Sequence, residues 1–230
     1  HIEHQHRRDR DDDGLDDGWE VAQAASDVKG RAGVAVAARE EVVDTTASIA
    51  GGRWTESYKQ QLIDSRLTIT ETIAANLSAD GRCQRFLSGS AIGYYGQTGD
   101  TPVDESAPAG DDFLARLVVA WEKAATTAPV PTVLLRTGHV MSPRGGYIGK
   151  QLIPFQLGLG GQVADGTHQV SWISLDDEVG AIRHLLDSEV TGPVNLTAPH
   201  PVTNARWTKA LGAALHRPTV IPFPLPIARL

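Results

Sequence analysis

The stretch "RFLSGSAIGYYG", residues 85–96, decides how the fold is read. Phe86 and Leu87 open it as an apolar run. Two serines, three glycines and two tyrosines follow within nine positions. This is the pattern of a buried strand that delivers polar side chains into a glycine loop. Upstream, "TESYKQQLIDSRLTITETIAANL" (55–77) has helical spacing, with Thr55 as N-cap and Ile63, Leu67, Thr70, Ala74 and Leu77 on one face. Downstream, "DDFLARLVVAWEKAATT" (111–127) repeats that period through Leu114, Leu117, Val118, Trp121 and Ala125. "PTVLLRTG" (131–138) reads as a strand led in by proline and stopped by glycine. "DDEVGAIRHLLDSE" (176–189) and "TNARWTKALGAALHR" (203–217) are two more amphipathic helices, with "GPVNLTA" (192–198) as a strand between them. Strands alternating with helices of this length predict an α/β fold, a parallel sheet covered on both faces.

The chain of 230 residues suffices for one sizeable α/β domain, or a domain with a small lobe. Its formal charge of −7 comes without a basic stripe, which argues against nucleic acid as a partner. The single cysteine, Cys83, excludes an internal disulfide and a cysteine metal cluster, in keeping with a reducing cytoplasm. No apolar run approaches the roughly 20 residues of a membrane span. The opening "HIEHQHRRDRDDDGLDDG" (1–18) has no apolar core of a secretory signal. Its charge run reads as a solvated or disordered tail, and His1, His4 and His6 as a tag remnant or chance rather than a metal site. "VAVAA" (34–38) has the composition of a strand.

Seven blocks in order carry a resemblance to a known family. They are "SIAGGRWTESYKQQLIDSR" (48–66), "SGSAIGYYG" (88–96), "DDFLARLVVAWE" (111–122), "VLLRTGHVMSPRGG" (133–146), "PFQLGLGG" (154–161), "SWISLDD" (171–177) and "NLTAPHPVTNA" (195–205). In sequence and spacing they resemble the atypical short-chain dehydrogenase/reductases, labelled NAD(P)-dependent nucleoside-diphosphate-sugar epimerases. The resemblance implies a Rossmann-like, doubly wound parallel sheet of the extended type with a small C-terminal substrate lobe, and NADP or NAD as cofactor. It implies a nucleotide sugar or small carbonyl compound as substrate; the oligomeric state is left open, with a homo-oligomer as one option, and the expected location is the cytoplasm. Ser90, four residues before Tyr94, stands where the superfamily has its catalytic serine, and Tyr94 or Tyr95 is the candidate proton donor. Ser88, Arg136, Gly138 and Val140 fall on the cofactor side; Gly161, Trp172 and Asn195 fall on the substrate side. On this reading residues 1–46 are an atypical, disorder-compatible segment. Residues 47–230 are the epimerase domain, with the substrate lobe mainly in 142–172 and 197–230.

Two departures qualify the implied chemistry. The superfamily's Tyr-x-x-x-Lys pair should lie on the helix of "DDFLARLVVAWE", where Phe113 and Leu117, or Leu114 and Val118, occupy the two places. No Gly-x-x-Gly-x-x-Gly turn follows a strand, although backbone N–H groups in such a turn are what meet a pyrophosphate. "GRAG" (30–33) precedes an apolar run instead of following one. The chain therefore reads as a copy truncated at both ends and lacking the first βα unit. The alternative function is an inactive Rossmann-like remnant that binds nucleotide weakly or not at all. A serine hydrolase is a distant option, because "GSAIG" is out of register with Gly-x-Ser-x-Gly and His184 and His216 fall on predicted helices. The acidic "SLDDE" (174–178) reads first as helix capping.

Overall fold

Along β3 (Arg85–Ala91) the side chains alternate between two buried faces. Phe86 joins Leu134 of β4 (Thr132–Thr137), Ile73 of α1 (Glu56–Asn76) and Ala125 of α2 (Phe113–Ala125) in one core cluster. Leu87 points the other way and joins Val133, Leu135, Leu185 of α4 (Leu175–Leu186) and Leu196 of β8 (Gly192–Leu196). Helices thus cover both faces, and both rows of the central strands are apolar, as a parallel sheet requires. Burial of each of these Leu, Val, Ile and Phe side chains contributes roughly 1.5–3 kcal/mol.

The computed structural model describes residues 34–38, 41–45, 54–78, 83–143 and 145–220. The main sheet has the order β1-β2-β3-β4-β8. β2 (Glu41–Thr45), β3, β4 and β8 are parallel neighbours, whereas β1 (Val34–Ala38) pairs antiparallel with β2. "VAVAA" is therefore a strand. The segment ahead of residue 47, expected to be atypical and disorder-compatible, thus adds two strands to the sheet. The charge run, the three histidines and "GRAG" lie outside the described residues.

Helix α1 starts at the predicted cap: the Thr55 hydroxyl accepts from the Tyr58 backbone N–H at 3.2 Å. Its buried face holds Leu62, Arg66, Thr70, Ile73 and Ala74: Thr70 and Ala74 are as predicted, while Ile63, Leu67 and Leu77 are half-buried beside them. α2 fastens to α1 where the Trp121 indole N–H donates to Thr70 Oγ1 at 2.9 Å. Five further elements were not foreseen. β5 (His139–Ser142) pairs parallel with β7 (Trp172–Ser174), β6 (Gln169–Val170) pairs antiparallel with β9 (Val202–Thr203), and α3 (Gly146–Gln156) carries Pro154 inside it. α5 (Asn204–Ala214) ends before His216, which takes a left-handed φ of 54° beyond the helix.

Candidate active site

Three of the sequence-predicted residues stand in one row across the sheet. Ser90 of β3, Arg136 of β4 and Asn195 of β8 are successive Cα partners, one residue before the C-terminal end of each strand. Neighbours in register share a face, so all three side chains rise on the side of α2. There they meet Glu122, from the last turn but one of α2, and Tyr95, from the 3₁₀ turn Ile92–Tyr95 that follows β3.

Glu122 is the hub. Its Oε1 accepts from Ser90 Oγ at 2.6 Å and from Arg136 Nε at 2.8 Å, and its Oε2 accepts from Arg136 Nη2 at 2.9 Å. This is a two-pronged guanidinium–carboxylate pair in a buried setting, with Arg136 only 3% exposed. Burial opposes the charged guanidinium, but hydrogen bonds and charge from Glu122 and Tyr95 more than offset it, and the Arg136 pKa lies above its ordinary value. Arg136 Nη1 donates to Tyr95 Oη at 3.0 Å, and the guanidinium carbon lies 3.5 Å from the Tyr94 ring centroid.

A guanidinium can only donate, and this fixes the direction of every other bond. Tyr95 accepts from Arg136, so its one proton goes to Asn195 Oδ1, at 2.6 Å. The Ser90 proton goes to Glu122 in the same way. Asn195 keeps its side-chain N–H groups outside the network, while its backbone N–H donates to Glu105 Oε1 at 2.7 Å. Tyr94 enters through its ring alone, and its hydroxyl takes no part. The loop holding Glu105 is pinned at both ends: Gly110 N–H donates to the Tyr94 carbonyl at 2.9 Å, and Gly96 turns with φ of 64°. A Cβ on Gly110 would come within 2.8 Å of Gly96 Cα.

A second polar group lies on the opposite face of the same crest. Glu178, in the first turn of α4, is 8% exposed, and its Oε1 accepts from Thr137 Oγ1 at 2.9 Å. Its Oε2 is buried with no hydrogen-bond partner, and burial pushes its carboxyl pKa up. The neighbouring Asp177 does what the sequence suggested, since its N–H donates to the N-cap hydroxyl of Ser174 at 3.0 Å.

The chain matches the NAD dependent epimerase/dehydratase family over residues 25–197, a span that takes in β1 and β2. It belongs to that family. Among curated relatives it is 45% identical over 181 residues to epimerase family protein Mb2239 of Mycobacterium bovis, covering 77% of this chain and 60% of that protein. It is 37% identical over 177 residues to the Homo sapiens epimerase family protein SDR39U1, covering 75% of this chain and 60% of that protein. The chain thus spans about 60% of the length of these relatives. Among solved structures, human SDR39U1 (isoform 2) with NADPH aligns at a TM-score of 0.74 and 32% identity, over 83% of this chain and 67% of that one. UDP-glucuronic acid 4-epimerase from Bacillus cereus with NAD, at 16% identity and a TM-score of 0.66, shares the fold over 77% of this chain and 61% of that one.

Within this Rossmann-like member of the epimerase family, the remaining predicted residues scatter. Ser88 is fully buried beneath the row, with its hydroxyl 3.2 Å from the Gly89 carbonyl. Gly138 lets β4 cross into β5, because a Cβ there would lie 2.8 Å from the Ser171 carbonyl oxygen. Val140 packs on the α4-side core, and Gly161 is buried after α3. Trp172 donates its indole N–H to the His200 carbonyl at 3.1 Å. The Arg136 side chain is committed to Glu122 and Tyr95, which leaves only its backbone for the cofactor contact that the resemblance implied. Glu105, Glu122 and Glu178 were missed as site residues. A signal existed for Glu122, an acid inside the apolar arc of Val118, Trp121 and Ala125, set against a lone arginine in "TVLLRT". Among the described residues no helix is long and apolar enough to cross a membrane, and no group of side chains could hold a metal ion.

Proposed function

We propose that this chain acts as an NAD(P)-dependent oxidoreductase or epimerase on a secondary alcohol or carbonyl, in a nucleotide sugar or a small carbonyl compound. Tyr94 serves as its proton-transferring group. One observation carries the reading: the polar row Ser90, Arg136 and Asn195 at the C-terminal crest of the parallel strands, where α/β sheets bind their ligands. Human SDR39U1, similar over most of the chain, was solved with NADPH, and this supports a dinucleotide here.

The crest suits the nicotinamide end of such a cofactor in its donor set. Asn195 N–H groups, the Tyr94 hydroxyl and the unpartnered Glu178 Oε2 are polar groups at the strand ends that can meet a carboxamide and a ribose. When bound, the dinucleotide supplies or takes up the hydride. The protein's part is to bind, orient and move a proton. The Ser90 and Tyr95 hydroxyls already donate to Glu122 and Asn195, so they hold the site's shape. Tyr94, whose ring is fixed on the Arg136 guanidinium, has its hydroxyl available for the substrate oxygen.

A second reading, binding without turnover, draws on the residues of α2: Phe113, Leu114, Leu117 and Val118 fill the places of the superfamily's Tyr-x-x-x-Lys pair. One experiment separates the two. Oxidation of NADPH and NADH is followed by absorbance with a panel of carbonyl compounds and nucleotide sugars, for the wild type, Y94F and Y95F. The first reading expects Y94F to lower kcat by roughly 10²- to 10⁴-fold at unchanged thermal stability, and Y95F to act mainly on stability. Turnover that survives in Y94F removes Tyr94 from the chemistry. Tight cofactor binding with no turnover on any substrate favours the second reading.

A further inference from the structure

Glu178 stands apart from the network on the α2 side. Its carboxyl reaches from the first turn of α4 to Thr137, the last residue of β4, so it lies at the crest where β3, β4 and β8 end together. The acids around it have other roles. Asp177 takes part in the Ser174 cap, and Glu122 and Arg136 occupy the opposite face of the sheet. Among the described residues no cation pairs with Glu178, and its Oε2 is buried without a partner. Helix capping does not explain this, because favourable placement at a helix N-terminus needs neither burial nor an empty oxygen. An unsatisfied buried acceptor costs roughly 1–3 kcal/mol.

Hydrogen counting shows what that oxygen can do. Thr137 has one hydroxyl proton and two possible acceptors, Glu178 Oε1 at 2.9 Å and the Leu135 carbonyl at 3.3 Å. If Glu178 is ionised, Thr137 donates to Oε1 and Oε2 is a bare carboxylate oxygen. If it is neutral with its proton on Oε1, Glu178 donates to Thr137, Thr137 donates to Leu135, and Oε2 is a carbonyl oxygen. A proton on Oε2, with Thr137 donating to Oε1, would leave that O–H buried without an acceptor, so in the two arrangements that bond every hydrogen Oε2 accepts.

We propose that Glu178 Oε2 is a ligand acceptor at the crest of the sheet, taking an N–H or O–H hydrogen from the nicotinamide riboside end of a bound dinucleotide. This rests on the functional reading above. Two donors share the chemistry: the carboxamide N–H of the ring and a hydroxyl of the ribose.

The test uses the full chain as wild type, E178L and E178Q, with calorimetric titration of NADPH and of its 3-acetylpyridine analogue, which has no carboxamide N–H, plus thermal melts without ligand. E178L is expected to melt no lower than the wild type and to bind NADPH about five- to tenfold more weakly, the worth of one neutral hydrogen bond. E178Q can face Thr137 with its N–H and keep an oxygen at the crest, so it should bind as the wild type does. A loss seen with NADPH and absent with the analogue assigns the carboxamide as donor. An equal loss with both assigns a ribose hydroxyl. Unchanged NADPH affinity in E178L overturns the inference. So does a lower melting point or failure to fold in that variant, either of which makes the carboxyl a structural group. A wild type that binds neither dinucleotide overturns the functional reading itself, and the inference with it.

Discussion

Removing the Glu122 carboxylate should be among the most damaging single changes this protein can undergo. Glu122 accepts three hydrogen bonds, at 2.6, 2.8 and 2.9 Å, from Ser90 and the two prongs of Arg136. In Glu122→Ala the guanidinium stays buried with only Tyr95, the Tyr94 ring and the Glu105 carbonyl beside it. Breaking one side of a buried pair costs about 3–5 kcal/mol, because the partner's charge is left uncompensated. At about 2–4 °C per kcal/mol for a chain of this size, the melting temperature should fall by about 6–20 °C. The double variant E122L/R136M provides the control. Exchanging both charges for apolar groups removes the penalty as well as the attraction, so it should be more stable than either single variant. Differential scanning calorimetry of the wild type, E122L, R136M and the double variant completes the cycle. A shift below about 2 °C in E122A, or a double variant as unstable as the sum of the singles, would falsify the assignment of Glu122 as hub.

Two further expectations concern the neighbours of this network. Gly110→Ala would bring a methyl within 2.8–2.9 Å of Gly96 and of the Tyr95 carbonyl, all of it backbone that cannot yield; a melt should show a loss of about 1–3 kcal/mol, and a melting point equal to the wild type's would show the loop free to move aside. Burial raises the Glu178 pKa in the folded state, so its contribution to stability is present below the ordinary value of 4.5 and is lost as pH rises through the folded-state pKa. The wild type should therefore lose melting temperature relative to E178Q as pH is raised from about 4 to 7, and parallel curves for the two would refute the burial effect.

What the sequence disclosed follows a physical division. β3, α2, β4, α4 and β8 were legible because their apolar periods are long and bounded by capping residues or glycine. The hairpin of β1 and β2 was not: Arg39 and Glu40, between the strands, carry none of the glycine or asparagine signals of a two-residue turn. α3 was hidden by Pro154 and its glycine-rich entry. On α1, Thr70 and Ala74 were read correctly, but Arg66 was not: a residue type expected in water, it is 2% exposed and donates to the Leu62 carbonyl. Ser90, Arg136 and Asn195 were picked out separately, from a resemblance. That they form one row is a matter of strand register, which spacing along the chain does not encode. Glu122 and Arg136 could each be seen as a charge inside an apolar element, but their pairing became visible only in three dimensions.

The order of the sheet leads to the last prediction. A doubly wound sheet binds its dinucleotide where the strand order reverses, and a glycine turn at that point hands the pyrophosphate to a helix N-terminus. Among the described residues the order β1-β2-β3-β4-β8 runs in one direction without reversal, and only two residues, with no helix, separate β1 from β2. The described part therefore offers the nicotinamide end a crest of polar side chains, and no helix follows β1 to receive the pyrophosphate. In a complete site, two such bonds to charged phosphate oxygens, at roughly 1.5–3 kcal/mol each, are worth about 10²- to 10⁴-fold in affinity. If the described residues are the whole of the binding surface, reduced nicotinamide mononucleotide should bind within about tenfold of NADPH. Titrating both under identical salt decides the matter. NADPH binding more than about 10²-fold tighter than the mononucleotide would show that residues outside the described set, in 1–33 or 46–53, supply the phosphate cradle.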